Sequence, residues 1–284
     1  MIRGRNGRAF DCILVDLNTQ QDFCASDGIH PVANLEALIP ALRRTIAWAK
    51  RNGIPVVSCV ESCRESDVFD GMRRPCCVDG TRGQRKLDFT LLGRHAVVEV
   101  DNTLTCPVGL FRDFQQIIFR KRGVDLLDNP KADRFFNTVL ASEFIVFGIG
   151  IEGAVKALTL GLIARRKQVT IVHDASGYWS KATADQALQQ VAAKGARVIN
   201  VCQLATRRLS WPRRYRWSRR VTASRPAGPD GNGSGNGHGR TGANGNGRGA
   251  VGGDGMTRPV EEHDHAGGEP GVGGSGGLDA TDQP

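Results

Sequence analysis

Over the first 204 residues, short runs that are apolar throughout alternate with amphipathic stretches. Residues 12–16 (CILVD) read as a compact buried strand that ends on a carboxylate. Within 32–51, Leu35, Leu38, Ile39, Leu42 and Ile46 recur at helical spacing, and Gly53 follows as a stop signal. Residues 54–60 and 117–120 predict two further strands. A helix over 130–142 leads into a strand at 144–148, then come a helix over 153–165 and a strand at 169–174. A helix over 183–194 and a strand at 197–202 complete the pattern. Continuous apolar strands separated by helices predict a mainly parallel sheet covered on both faces. The expected fold is therefore α/β, a doubly wound three-layer αβα sandwich over residues 8–204. Ligands of such sheets sit beyond the carboxyl ends of the strands. That rule singles out Asp16, Glu61, Lys121 and the loop 148–154.

Composition changes the picture only at the C-terminal end. Residues 226–284 hold 20 of the 36 glycines and no isoleucine, phenylalanine, tyrosine or tryptophan. A segment so poor in apolar surface cannot offset its ordering entropy, which predicts a disordered Gly/Asn-rich tail. Between the domain and the tail, residues 205–225 form a basic arm with eight arginines and no acid. Its Trp211, Tyr215 and Trp217 interleave with arginine. The arm can bind a polyanion through phosphate contacts and base stacking, or it can simply cover the domain edge. The net charge of +9 thus reports a short arm on a mildly basic domain.

No apolar run has the length of a membrane span, since the best one, 144–155, is interrupted by Glu152. The N-terminal apolar stretch is short and ends at Asp16, unlike a signal peptide. Eight cysteines without a secretion signal predict free thiols in a reducing compartment, with the cytoplasm as the expected location.

Four segments in order carry a family resemblance: VDLNTQQDF (15–23), CVDGTRGQRK (77–86), IIFRK (117–121) and FGIGIEGAVKALTLGLIARRKQVTIVHDA (147–175). They resemble the isochorismatase-like hydrolase superfamily, closest to its nicotinamidase-like, cysteine-hydrolase branch, over residues 10–202. The resemblance implies a triad of aspartate, lysine and cysteine in which a thiolate attacks an amide carbonyl to form a thioester. Asp16 matches the aspartate, although DLNTQQDF is two residues longer than the commoner D-x-Q-x-D-F. Lys121 matches the lysine. Ile149–Gly150 falls where the family has a cis peptide, and the backbone N–H groups of Gly150 and Ala154 match the oxyanion donors. Asp22 and Phe23 match residues that support the first loop and one pocket wall.

The cysteine itself is absent, because Ala154 stands at the nucleophile position. Thioester chemistry at that position is excluded, and two outcomes stay open. One is a cysteine-free hydrolase of a small molecule with Asp16 as proton carrier. The other is a non-catalytic protein that keeps the pocket for a small ligand. The resemblance also implies a divalent metal site, whose aligned positions here are Glu61, Cys63 and Cys76. Thiolates there would favour zinc over iron or manganese, or the site has been lost and no cofactor binds. A homo-oligomer is implied by the resemblance alone.

Overall fold

Among the described residues, seven strands form one sheet, in the order β3-β4-β2-β1-β5-β6-β7, and every strand pairing in it is parallel. The strands are β1 (Ile13–Leu17), β2 (Val56–Glu61), β3 (His95–Val98), β4 (Gln116–Lys121), β5 (Phe144–Ile149), β6 (Val169–Gly177) and β7 (Arg197–Ile199). The computed structural model describes residue 2 and residues 9–65, 75–100 and 110–207. The arm beyond Arg207, the Gly-rich tail and Cys106 lie outside the described residues.

The central strands explain the continuous apolar runs, because both of their faces are buried. On β1, Ile13, Val15 and Leu17 enter one core with Phe119, Phe135, Phe136 and Phe144. Cys12 and Leu14 enter the other with Leu38, Leu42, Trp48, Ile145 and Phe147. Each large side chain so buried contributes about 1.5–3 kcal/mol relative to exposure. Alternation along the strand places Asp16 on the Leu14 face, inside the second core rather than at its rim.

The described helices are α1 (Gln21–Cys24), α2 (Leu35–Asn52), α3 (Leu110–Asp113), α4 (Pro130–Thr138), α5 (Lys156–Ala164), α6 (Lys181–Ala193) and α7 (Val201–Ala205). Gly53 ends α2 in the left-handed region at φ 64°. Asn129 caps α4 by accepting from the N–H groups of Lys131 and Ala132, and Pro130 follows at the first turn, where its missing N–H is harmless. Residues 151–155 form a π-helical turn before α5.

Some boundaries differ from the sequence pattern for local reasons. The predicted strand 197–202 stops at Ile199, because Asn200 and Gln203 form a reciprocal capping box and start α7. The helix predicted over 130–142 ends at Thr138, with Val139 already extended. β3 has no apolar run to announce it: it lies at the sheet edge, and only Val98 in it is buried.

Candidate functional site

The carboxyl ends of β1, β2, β4 and β5 converge on a chain of polar groups. Register puts Glu61 of β2 directly beside Lys121 of β4. Their side chains form an ion pair, Lys121 Nζ to Glu61 Oε1 at 2.9 Å, with Lys121 1% and Glu61 23% exposed. Lys121 Nζ also donates to the Gly123 carbonyl at 2.7 Å. Just past β1, Asn18 donates from Nδ2 to the same Glu61 oxygen at 2.9 Å. Its own Oδ1 accepts from Cys59 Sγ at 3.1 Å. Gln20 clamps the Glu61 backbone from both sides, accepting from its N–H at 2.7 Å and donating to its carbonyl at 2.9 Å.

Asp16 has a different set of partners. Lys86 Nζ reaches Asp16 Oδ2 at 2.8 Å, with side-chain exposures of 3% and 0%. Thr19 Oγ1 donates to Oδ1 at 2.9 Å and Ser58 Oγ to Oδ2 at 3.1 Å. Gln116 Nε2 in turn donates to Ser58 Oγ at 2.8 Å. The carboxylate is therefore enclosed and fully engaged within the core. Lys86, Asn18 and Gln20 escaped the sequence reading, yet one signal was present. The segment NTQQDF (18–23) fits D-x-Q-x-D-F without any insertion if Asn18 takes the first position.

Asp22 works as an anchor. Its Oδ2 accepts from the Cys77 N–H at 2.6 Å and its Oδ1 from the Ile29 N–H at 3.3 Å. Gly83 lies so close over this carboxylate that a Cβ there would fall 2.1 Å from Oδ2. Asp22 thus ties the first loop to the C-x-x-G-T-x-G segment. Phe23 is buried and meets Trp179 edge-on, with ring centroids 5.7 Å apart. The other flank of Trp179 is stacked by His30 at 4.7 Å. A Cβ on Gly150 would strike the Trp179 ring at 2.4 Å, so only glycine allows this indole to cover the loop. Glu152 Oε1 accepts from the N–H groups of Trp179 and Ser180 and binds the same loop to the start of α6. The Ile149–Gly150 peptide is cis. Ala154 is 5% exposed and joins the core on the Val15 side. Gly148, at φ +121°, sits where a Cβ would fall 2.1 Å from the Leu17 carbonyl, which fixes glycine at the turn out of β5.

The thiols divide into two environments. Burial pushes Cys12 and Cys24 up to about 12 and Cys59 up to about 11. Within the adjacent pair, their mutual hydrogen bond favours thiolate at Cys76 and thiol at Cys77. Cys76 is half-buried, whereas Cys77 is fully buried. With iodoacetamide at pH 8, Cys76 should be alkylated at least about tenfold faster than Cys12, Cys24 or Cys59. Peptide mass mapping reads the order, and equal rates for Cys76 and Cys24 would contradict it.

Of the residues expected at a metal site, Glu61 and Cys76 come together, and the third member is Cys77. Ligand atoms of these three all lie within 4.8 Å of one another. Cys63 is instead paired through its backbone, donating to the Cys77 carbonyl at 3.1 Å and accepting from the Asp79 N–H at 2.8 Å. None of the seven described cysteines is joined in a disulfide.

A seven-stranded parallel sheet between helices, with a polar cluster at its carboxyl edge, defines an α/β protein of the isochorismatase-like fold. The isochorismatase domain profile matches residues 12–203, and the chain belongs to that family. Among solved structures, the pyrazinamidase of Pyrococcus horikoshii in complex with zinc is similar at 18% identity and a TM-score of 0.52, covering 67% of this chain and 99% of that one. A nicotinamidase/pyrazinamidase from Bacillus subtilis is similar at 15% identity and a TM-score of 0.53, covering 67% and 100%. PnC1 from L. infantum, in complex with nicotinate, gives 14% and 0.53, covering 68% and 93%. A search of curated proteins finds no match. Among the described residues, no helix is long and apolar enough to cross a membrane.

Proposed function

We propose that this chain is a small-ligand-binding member of the isochorismatase family whose pocket does not run the thioester route. One observation carries the reading: position 154 offers a methyl group, while the Asp16 carboxylate is closed off by Lys86, Thr19 and Ser58. In this reading Asn18 occupies the place of the family's acid, since NTQQDF keeps the motif in register and Asn18 shares Glu61 with Lys121. An amide in that place can orient a ligand by hydrogen bonds but cannot take a thiol proton. Lys121 and the partly open Glu61 supply the polar anchor, and Phe23 with Trp179 supplies an apolar wall. The free thiols suit a reducing, cytoplasmic setting.

Cysteine-free hydrolysis is the second reading, and the Glu61–Lys121 pair favours it. A carboxylate that is 23% exposed beside a buried ammonium can exchange a proton with water or with a bound ligand. Asp16 would serve as proton carrier only by parting from Lys86. Glu61, Cys76 and Cys77 also fit a thiophilic divalent ion by donor type and spacing. Such an ion, when bound, would polarise a ligand oxygen or a water as a Lewis acid.

Titration of the wild-type protein with nicotinamide, nicotinate and isochorismate separates the readings. Binding is expected with the ligand recovered unchanged. Affinity should fall by about tenfold or more in Lys121→Met, the loss typical of a hydrogen bond from a charged group. Turnover that Asp16→Asn abolishes would replace this reading with hydrolysis.

A further inference from the structure

The amino ends of four neighbouring strands border a cavity of about 510 Å³, at the opposite edge of the sheet from the polar cluster. Asp11 and Cys12 line it just before β1, Glu143 just before β5, Val169 and Thr170 at the start of β6, and Arg197 at the start of β7. That volume falls in the range of small-molecule sites. Cys12, Val169 and Ala196 are buried and supply its apolar lining, while Ser142, Gln168 and Arg197 are exposed at its rim.

Its charges are not all matched from within. Glu143 is buried, accepts from the Thr170 hydroxyl and pairs with Arg207. The cavity therefore already holds one guanidinium against one buried carboxylate. Asp11 lines the same space, and its Oδ2 is shielded from solvent with no hydrogen-bond partner among the described residues. A carboxylate oxygen in that state has given up water and gained no donor, which costs stability. Rotation about the Cβ–Cγ bond of aspartate is soft, so this half-buried residue can present an oxygen to a donor in the cavity. On the other flank, with β5 and β6 between, Arg197 offers a planar fork of donors suited to a carboxylate. A molecule that satisfies both flanks carries opposite charges at its two ends.

We propose that this cavity is a second ligand site and takes a small guanidino acid of the arginine type, with its guanidinium against Asp11 and its carboxylate against Arg197. Guanidinium meets carboxylate through two parallel N–H···O bonds, which give direction as well as charge. A plain cation would leave Arg197 unmatched, and a plain anion would leave Asp11 unmatched. Glu143 and Arg207, already paired, shape the middle of the cavity. The inference does not rest on the reading of Ala154 or Asn18, because its residues lie at the other edge of the sheet.

Calorimetric titration of the full-length protein tests this with L-arginine, with agmatine, which lacks the carboxylate, and with L-citrulline, whose urea group carries no charge. One site per chain is expected for L-arginine, with agmatine and L-citrulline each at least about tenfold weaker. Asp11→Asn should weaken L-arginine binding by at least about tenfold. Arg197→Met should do the same, yet leave agmatine within about twofold of its wild-type affinity. Arg82→Met, at an exposed arginine that does not line the cavity, should change neither. The L-citrulline comparison needs no variant, so it stands even if Asp11→Asn loses its native circular dichroism. The proposal is overturned by no saturable binding of L-arginine, by equal affinity for L-citrulline, by undiminished binding in a folded Asp11→Asn, or by an Arg197→Met loss that agmatine shares in full.

Discussion

Lys86→Met is expected to lower the unfolding free energy by about 3–5 kcal/mol, the range for a buried ion pair that loses one partner. The ammonium of Lys86 and the carboxylate of Asp16 meet at 2.8 Å with almost no exposure. Methionine fills a similar volume, so the change removes charge more than packing. It leaves a carboxylate on the Leu14 face of β1 with only two hydroxyl donors, and it strips Thr19 of the hydrogen bond from Lys86 at 2.7 Å. Adding Asp16→Asn in the same chain should recover part of the loss, with a coupling of about 1–3 kcal/mol. Urea unfolding of the two single variants, the double variant and the wild type closes the cycle. The exposed pair Arg82–Asp27 serves as control, and Arg82→Met should leave the midpoint unchanged. A Lys86→Met cost below about 1 kcal/mol would mean that Asp16 is not committed to this pair.

The second large effect concerns chemistry. Ala154→Cys alone is expected to remain silent toward nicotinamide, because Asn18, in the place of the family's acid, is an amide that cannot take a thiol proton, and Asp16 is engaged by Lys86, Thr19 and Ser58. Ala154→Cys/Asn18→Asp should gain amidase turnover at least about a hundredfold above the single variant, the scale of a positioned general base. In the double variant the introduced carboxylate takes the thiol proton, and Lys121 offsets the added negative charge. The thiolate then attacks the amide carbonyl, ammonia leaves with the proton the carboxylate took up, and water cleaves the thioester to release nicotinate and restore the thiol. Turnover by Ala154→Cys alone, lost on Asp16→Asn, would return the acid's role to Asp16.

The fold was legible because parallel strands buried on both faces leave unbroken apolar runs, as at 13–17 and 144–149. Edge strand β3 was not, since one buried residue in four makes no run. Around the candidate site, Asp16, Glu61 and Lys121 stood out because the apolar runs at 12–16, 54–60 and 117–120 stop at or just before them. What they touch was hidden. Lys86 sits 70 positions from Asp16 in sequence and looks like an ordinary loop lysine until the chain folds. Asn18 was obscured by a nearby aspartate that satisfied the motif at the cost of two extra residues. Cys77 replaces Cys63 beside Glu61 and Cys76 because a left-handed backbone turns its thiol, and no spacing rule reports a dihedral angle. Trp179 covers Gly150 from a turn with no pattern of its own.

Intact-mass spectrometry of the wild-type protein incubated with nicotinamide, with nicotinate release followed in parallel, tests the central claim most directly. A pocket without the thioester route predicts an unchanged protein mass and no nicotinate. A mass increase equal to one nicotinoyl group on any cysteine, together with nicotinate release, would contradict it.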